Sequence, residues 1–120
     1  MFYSDEPGLK DYRDMDIRAI IREHLITKGT RTHNTQGKVI ETNRYLRPQS
    51  IVTSGLFCYS LKDNPTNRRA VEYYCKRWAH QHQLWDDSNC TVFRVPADLW
   101  QECDEKNREF TKGKDREERQ

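Results

Sequence analysis

The 120-residue sequence has no long apolar run. No stretch of about 18 consecutive apolar residues occurs, so no transmembrane helix is expected. Its first residues are acidic and lack the basic-then-apolar order of a secretory signal, so we expect no signal peptide either. We also find no internal repeat. The missing membrane span predicts no membrane partner, and the cysteines described below predict a location in the cytoplasm.

Sequence motifs for common chemistries are also missing. The chain contains none of the G-x-x-x-x-G-K-[ST], G-x-G-x-x-G, G-x-S-x-G, H-E-x-x-H or EF-hand patterns. Its four cysteines are Cys58, Cys75, Cys90 and Cys103, spaced 17, 15 and 13 residues apart with no C-x-x-C pair. Each falls in an apolar stretch, so we predict four buried free thiols in a reducing compartment, and no metal or cofactor.

The apolar patterns that are present predict a small α+β domain. We expect a helix from Asp11 or Asp14 to about Lys28, a strand over 38–42, a core strand over 51–61, a helix from Pro65 capped by Asn64, a strand over 90–95 and a helix over 97–110. The prediction is one domain over 11–110, with a short mixed or antiparallel sheet packed by two or three helices. Residues 1–10 are expected to form an irregular lead-in and residues 111–120 a charged C-terminal tail, which is either disordered or a solvated extension of the last helix.

Positive charge is concentrated in the middle of the chain. Residues 28–82 hold ten basic and three acidic side chains, a net charge of +7, whereas both ends are acidic. In the helix from Pro65, the predicted packing stripe consists of the apolar positions Val71, Tyr74, Cys75, Trp78 and Trp85, with His82 between them. A second set of residues at spacings of three and four forms a basic and partly aromatic surface. An electropositive surface therefore overlaps the central helix.

This surface predicts a module that binds nucleic acid or another polyanion. Lys and Arg hold phosphates, and exposed bases stack on aromatic rings or guanidinium planes. The predicted nucleic-acid-binding residues are Arg31, Arg44, Arg47, Arg69, Tyr73, Lys76, Arg77 and His80. The segment Gly29–Gly37 has no apolar residue and is interpreted as a solvated loop, with anion binding through Arg31 and His33 as an alternative.

A protein-interaction or inhibitor module that blocks a larger partner, such as a small viral or mobile-element protein, is the second hypothesis. Trp, Tyr and Arg supply much of the binding energy in protein interfaces. Three aromatic residues fall near predicted loops or the ends of elements, namely Tyr45, Trp85 and Trp100. The interaction hypothesis depends on these side chains lying at the surface.

A third hypothesis comes from a resemblance. The run Gly55-Leu56-Phe57-Cys58-Tyr59-Ser60, the helix start Asn67-Arg68-Arg69-Ala70-Val71 and the segment Thr91-Val92-Phe93-Arg94-Val95 resemble the middle of small ADP-ribosyltransferase-like domains. In that family a glycine-led strand ending in serine or threonine precedes a helix. The resemblance implies NAD binding, and the only positions available for the family's functional residues are His33, Tyr59, Ser60 and Glu102.

Overall fold

A computed structural model of the chain describes the backbone of residues 15–119 and the side chains of residues 15–108. In this part the elements run α1 Ile17–Lys28, β1 Arg31–His33, β2 Val39–Thr42, β3 Tyr45–Leu46, α2 Val52–Cys58, α3 Pro65–Gln81, β4 Phe93–Arg94 and α4 Ala97–Arg119. A 3-10 turn, Pro48–Ile51, leads into α2. Helices and antiparallel strands in one compact domain confirm the predicted α+β class.

The predicted core strand over 51–61 is wrong, because this segment forms the end of the 3-10 turn and then α2. Its buried residues Ile51, Val52, Gly55 and Leu56 recur at the four-residue spacing of a helix face. A short apolar run is compatible with a buried strand and with a buried helix, so its content of β-branched residues alone does not distinguish the two structures. Packing against α1 and α3 decides in favour of the helix.

Gly55 marks the place where α2 lies closest to its neighbours. A Cβ atom at this position would lie 2.7 Å from Cγ1 of Val71 in α3 and 3.3 Å from Cδ1 of Ile20 in α1. Only a residue without a side chain allows this approach. Gly55 therefore positions α2 between the two longer helices.

The strands form two separate two-stranded antiparallel sheets instead of one sheet. β1 pairs with β2 in a hairpin, so part of the segment 29–37 predicted as loop is a strand, while β2 matches the strand predicted over 38–42. β3 pairs with β4, with Leu46 opposite Phe93. The strand predicted over 90–95 is shortened to Phe93–Arg94, because its partner β3 has only two residues.

The other helices follow the sequence patterns. α1 begins after Asp16, whose side chain accepts the backbone N–H of Ala19, a later cap than the predicted Asp11 or Asp14. α4 starts directly after Pro96, as predicted, and buries Leu99, Trp100 and Cys103. The core cluster joins residues of α1, α3 and α4 with the inward side chains of the β3–β4 sheet. Its members are Ile17, Ile20, Ile21, Leu25, Leu46, Ile51, Cys75, Ala79, Leu84, Phe93, Val95, Leu99, Trp100 and Cys103.

Several expectations fall at the edges of the described region. The predicted lead-in 1–10 lies outside the described residues. The predicted tail over 111–120 overlaps α4, whose backbone is helical through Arg119. Within residues 15–119, no helix combines the length and apolar character that spanning a bilayer requires.

Candidate nucleic-acid interface

The candidate interface lies on α3, a helix that the local sequence specifies well. Asn64 caps it by accepting the backbone N–H of Asn67 at 2.8 Å, and Pro65 occupies the first helical position without losing a hydrogen bond. Its buried residues recur every four positions, at 67, 71, 75 and 79. This stripe packs towards α1 and α2 and fixes which side of α3 faces solvent.

Five of the predicted residues share the opposite side of α3, and all five are exposed. At 3.6 residues per turn they fall within an arc of about 100°, on the far side of the helix from the buried stripe. The span from residue 69 to residue 80 corresponds to about 16 Å along the helix axis. We call this surface the α3 face, and its members are Arg69, Tyr73, Lys76, Arg77 and His80.

The charges of the α3 face are weakly engaged inside the protein. Arg69 donates from Nε to the carbonyl of Pro65 at 3.3 Å, and neither Arg69 nor Arg77 makes an ion pair with a residue in the described part of the chain. Lys76 Nζ lies 3.6 Å from Oε2 of Glu72, one turn earlier. An exposed pair of this kind contributes little to stability, so its lysine is available to a ligand.

Tyr73 adds an aromatic surface between the cations. Its side chain is 58% exposed, and its ring meets the ring of Tyr74 edge to face at 5.0 Å between centroids. Much of the Tyr73 ring remains in contact with solvent, where a planar group can stack on it. The α3 face thus combines phosphate-binding and base-stacking side chains.

Arg31 and Arg44 are placed away from the α3 face. Their guanidinium carbons lie 5.4 Å and 4.2 Å from the ring centroid of Trp100 in α4, and Arg31 Nη2 also donates to Oδ2 of Asp104 at 3.3 Å. These cation–π contacts and the ion pair tie the hairpin region to α4. Arg47 is exposed at the start of the 3-10 turn, which contacts α3. The structure therefore divides the predicted basic set into two groups.

Arg31, from the second group, lines a cleft together with His33, the other residue of the anion-binding alternative, and with residues that the sequence did not connect to this site. The cleft has a volume of about 540 Å³ and lies between the end of α1, β1 and α4. Its polar lining includes Lys28, Thr30, Arg31, His33, Asp104, Asn107 and Arg108. We call it the α1–α4 cleft. Lys28 and Arg108 are far apart in sequence, and only packing brings them together. The ion pair between Asp104 and Arg108, by contrast, is indicated by their four-residue spacing on α4.

The aromatic residues of the interaction hypothesis are largely used in packing. Trp100 is only 4% exposed, and Trp85 packs on the core with its ring edge to face with Phe93 at 6.3 Å. Tyr45 remains exposed on β3. A different exposed aromatic, Phe57 on α2, is 73% exposed beside the outer surface of α1. Of the three aromatic residues of the interaction hypothesis, Tyr45 is exposed, and Phe57 provides an exposed aromatic side chain that the hypothesis did not include.

The residues of the ADP-ribosyltransferase-like resemblance do not stand on the expected strand. The segment that carries the resemblance is helical, so Tyr59 caps the end of α2, and its hydroxyl oxygen accepts the backbone N–H of Asp16 at 2.5 Å, just before α1. His33 lies in β1, and Glu102 lies on α4, where it accepts from Nε of Arg22 at 2.8 Å. This corrects the strand assignment on which the resemblance was based.

Groups with perturbed pKa values occur in and around the core. Burial raises the pKa of Cys75 to about 12 and lowers the pKa of His24, which Lys28 lowers further.

All four cysteines are free thiols, but Cys58 and Cys90 are exposed, which corrects the expectation that all four are buried. The described part of the chain contains no group of three His, Cys, Asp or Glu side chains arranged to hold a metal ion.

Comparison with known proteins adds no relative. No protein-family model matches the sequence, and neither the curated proteins nor the solved structures contain a significant match. Function is therefore inferred from the geometry and chemistry of the chain's own surfaces.

Proposed function

We propose that this protein binds single-stranded nucleic acid through the α3 face. The observation that carries the proposal is the exposure of Arg69 and Arg77 on the side of α3 opposite its buried stripe, without an ion pair to any described residue. Guanidinium groups bind phosphate oxygens in a bidentate geometry, and they lose little here because no internal carboxylate among the described residues competes for them.

The three cations of the face predict a measurable salt dependence. If Arg69, Lys76 and Arg77 each neutralise one phosphate, log K falls with log salt concentration with a slope of about −2 for a single strand. Binding then weakens roughly 20-fold between about 50 and 200 mM salt. So few phosphate contacts also imply modest affinity, in the range of non-specific binding.

Tyr73 supports a single strand as the ligand because its exposed ring lies between the cations on one helix face. Unpaired bases present their faces for stacking, whereas bases in a duplex do not. Tyr73→Ala is expected to weaken binding by about 1–3 kcal/mol, or roughly 5- to 150-fold. Tyr45→Ala removes a similarly exposed tyrosine from β3 and serves as the control, with unchanged affinity expected.

The main test is charge reversal on the α3 face. Arg69→Glu with Arg77→Glu should abolish binding to a labelled single-stranded oligonucleotide, measured by fluorescence anisotropy, with little change in melting temperature because both side chains are exposed. The matched control, Lys38→Glu with Lys106→Glu, changes the total charge equally at exposed positions off this face and should retain most of the affinity.

The neutral double variant Arg69→Gln with Arg77→Gln gives a second readout. It removes two phosphate contacts, so the slope of log K against log salt should fall from about −2 to about −0.7. Wild-type affinity in the charge-reversed variant, or an equal loss in its control, would contradict the assignment of binding to the α3 face.

A second candidate function, binding to another protein, is supported by the exposure of Phe57. Phe57 is 73% exposed and Ile26 of α1, which borders the same surface depression, is 43% exposed. Apolar side chains clustered at a surface are typical of protein interfaces. A complex that depends on Phe57 should persist in about 1 M salt, where an Arg69-dependent complex with nucleic acid dissociates. Loss of a purified complex with Phe57→Ser, but not with the Arg69 and Arg77 variants, would favour this candidate.

The proposed location is the cytoplasm. Two of the four free thiols, Cys58 and Cys90, are exposed. Exposed unpaired thiols persist where the surroundings are reducing, whereas oxidising compartments promote disulfides. Localisation of a tagged chain by microscopy tests this proposal.

A further inference from the structure

The α1–α4 cleft carries uncompensated positive charge. Lys28, Arg31 and Arg108 border it, and Asp104 is the one carboxylate in its described lining, so these residues leave a net charge of +2. Asp104 is 6% exposed and is already engaged on both oxygens. Oδ1 accepts from Thr30 at 2.8 Å, while Oδ2 accepts from Arg31 at 3.3 Å and lies 3.1 Å from Arg108 Nη2.

Arg31 is held in place before any ligand arrives. Gly29 turns the chain out of α1 with a φ of +87°, a conformation that other residues rarely adopt. Asn43 fixes this turn by donating from Nδ2 to the carbonyl of Gly29 at 2.6 Å and from its backbone N–H to the carbonyl of Thr30 at 2.9 Å. The guanidinium of Arg31 then stacks on Trp100 and binds Asp104. Ordering this side chain therefore adds little entropy cost to binding.

Four of the five N–H donors of this guanidinium have no hydrogen-bond partner among the described residues. Arginine carries five N–H groups, and Arg31 uses one of them, on Nη2, toward a described residue. Its Nε is buried without a hydrogen-bond partner among the described residues, and the side chain lines the cleft. His33 borders the same cleft because alternate residues of β1 share one side.

The end of α1 does not cancel this charge. A helix C-terminus carries a partial charge of about −0.5, so the +2 of the side chains, which already includes Lys28 of the last turn, becomes about +1.5. The carbonyl of Leu25, in the same turn, already accepts the N–H of Gly29 at 2.8 Å and Nδ2 of Asn107 at 3.3 Å. The cleft therefore remains a site for an anion.

We propose that the α1–α4 cleft binds a phosphate monoester. Such a group carries a charge of about −1.5 to −2 at neutral pH, which matches the net charge of the lining. A volume of about 540 Å³ exceeds what a bare phosphate fills and lies in the range of small-molecule sites. Ile26, 43% exposed at the rim, offers an apolar contact for the organic group. This inference is independent of nucleic-acid binding by the α3 face.

Isothermal titration calorimetry with AMP tests the proposal, with adenosine as the ligand that lacks the phosphate. AMP should bind saturably and adenosine should not. Arg108→Gln should weaken AMP binding roughly tenfold, because it removes a charge-assisted contact, and Lys28→Gln should weaken it several-fold. Both side chains are exposed, so the variants should fold, which melting curves check. The matched control Lys106→Gln removes a positive charge from the opposite side of α4 and should bind AMP like the wild type.

Two sources of the phosphate are distinguished by a second titration. Oligonucleotides with a 5′-phosphate or a 5′-hydroxyl are compared in the Arg69→Glu, Arg77→Glu variant, whose α3 face is disabled. Tighter binding of the oligonucleotide with the 5′-phosphate assigns the cleft to a nucleic-acid end. AMP binding without such a difference between the two oligonucleotides assigns the cleft to a free phosphorylated metabolite. Absence of saturable AMP binding at millimolar concentration, or equal weakening in Lys106→Gln, overturns the proposal, whatever the α3 face binds.

Discussion

Replacement of Gly55 by alanine tests the helix packing that orients the α3 face. In an exposed helix interior this change stabilises a protein by about 1 kcal/mol. Here the added Cβ would lie 2.7 Å from Cγ1 of Val71, roughly 1 Å inside the ordinary contact distance for carbon atoms. Val71 is fully buried and its branched side chain has one preferred rotamer in a helix, so the methyl group cannot turn away.

Overpacking of this kind costs about 1–3 kcal/mol, which outweighs the gain in helix propensity. Gly55→Ala should therefore lower the free energy of unfolding by about 1 kcal/mol. Val71→Ala alone should lower it by about 2–3 kcal/mol through lost burial and a cavity. In the Val71→Ala background the contact with Cγ1 of Val71 is gone, and the remaining 3.3 Å approach to Cδ1 of Ile20 needs only a small shift of that terminal methyl group. Gly55→Ala should then stabilise by about 1 kcal/mol. The two changes are thus coupled by about 2 kcal/mol.

Urea unfolding followed by circular dichroism measures all four members of this cycle. Gly37→Ala is the control, because Gly37 has a φ of +82° but a Cβ atom added there would meet no other part of the described chain within 4 Å. Its destabilisation, about 1 kcal/mol from backbone strain, should be the same with either residue at position 71. Stabilisation of the wild type by Gly55→Ala, or additivity within the cycle, would refute the close contact between α2 and α3.

Three further predictions concern titration, thiol reactivity and packing. Burial lowers the pKa of His24 below its unfolded value of about 6.5, so the unfolded state binds protons more readily than the folded state. The free energy of unfolding should therefore fall as the pH drops from about 7 toward 5. His24→Leu should reduce this pH dependence in urea titrations. Cys58 and Cys90 should react with a thiol reagent in the native protein, whereas Cys75, whose pKa is raised to about 12, should react only after unfolding; rapid native labelling of Cys75 would contradict its burial. Trp78→Ala should lower the free energy of unfolding by about 3 kcal/mol, because the partly buried ring packs on the core; a loss below about 1 kcal/mol would mean that the ring contributes little.

Helix boundaries were predictable where capping chemistry is local. Asn64 and Pro65 define the start of α3, and Pro96 precedes α4 as expected. The strand over 51–61 was misassigned because its burial comes from two neighbouring helices, a tertiary environment that propensity does not encode. The α3 face was found from spacing alone. Of the α1–α4 cleft, the sequence suggested only Arg31 and His33, because Lys28 and Arg108 meet them only through packing of α1 beside α4.

By itself, the sequence determined the amphipathic α3 with its basic exposed side, the α+β class and the concentration of positive charge in the middle of the chain. Those properties depend on the spacing of residues within a single segment and on local capping. Tertiary structure decided which surface each arginine joins. Arg31 and Arg44 carry the same charge as Arg69, yet they stack on Trp100, because long-range packing places that ring beside them and leaves α3 facing solvent.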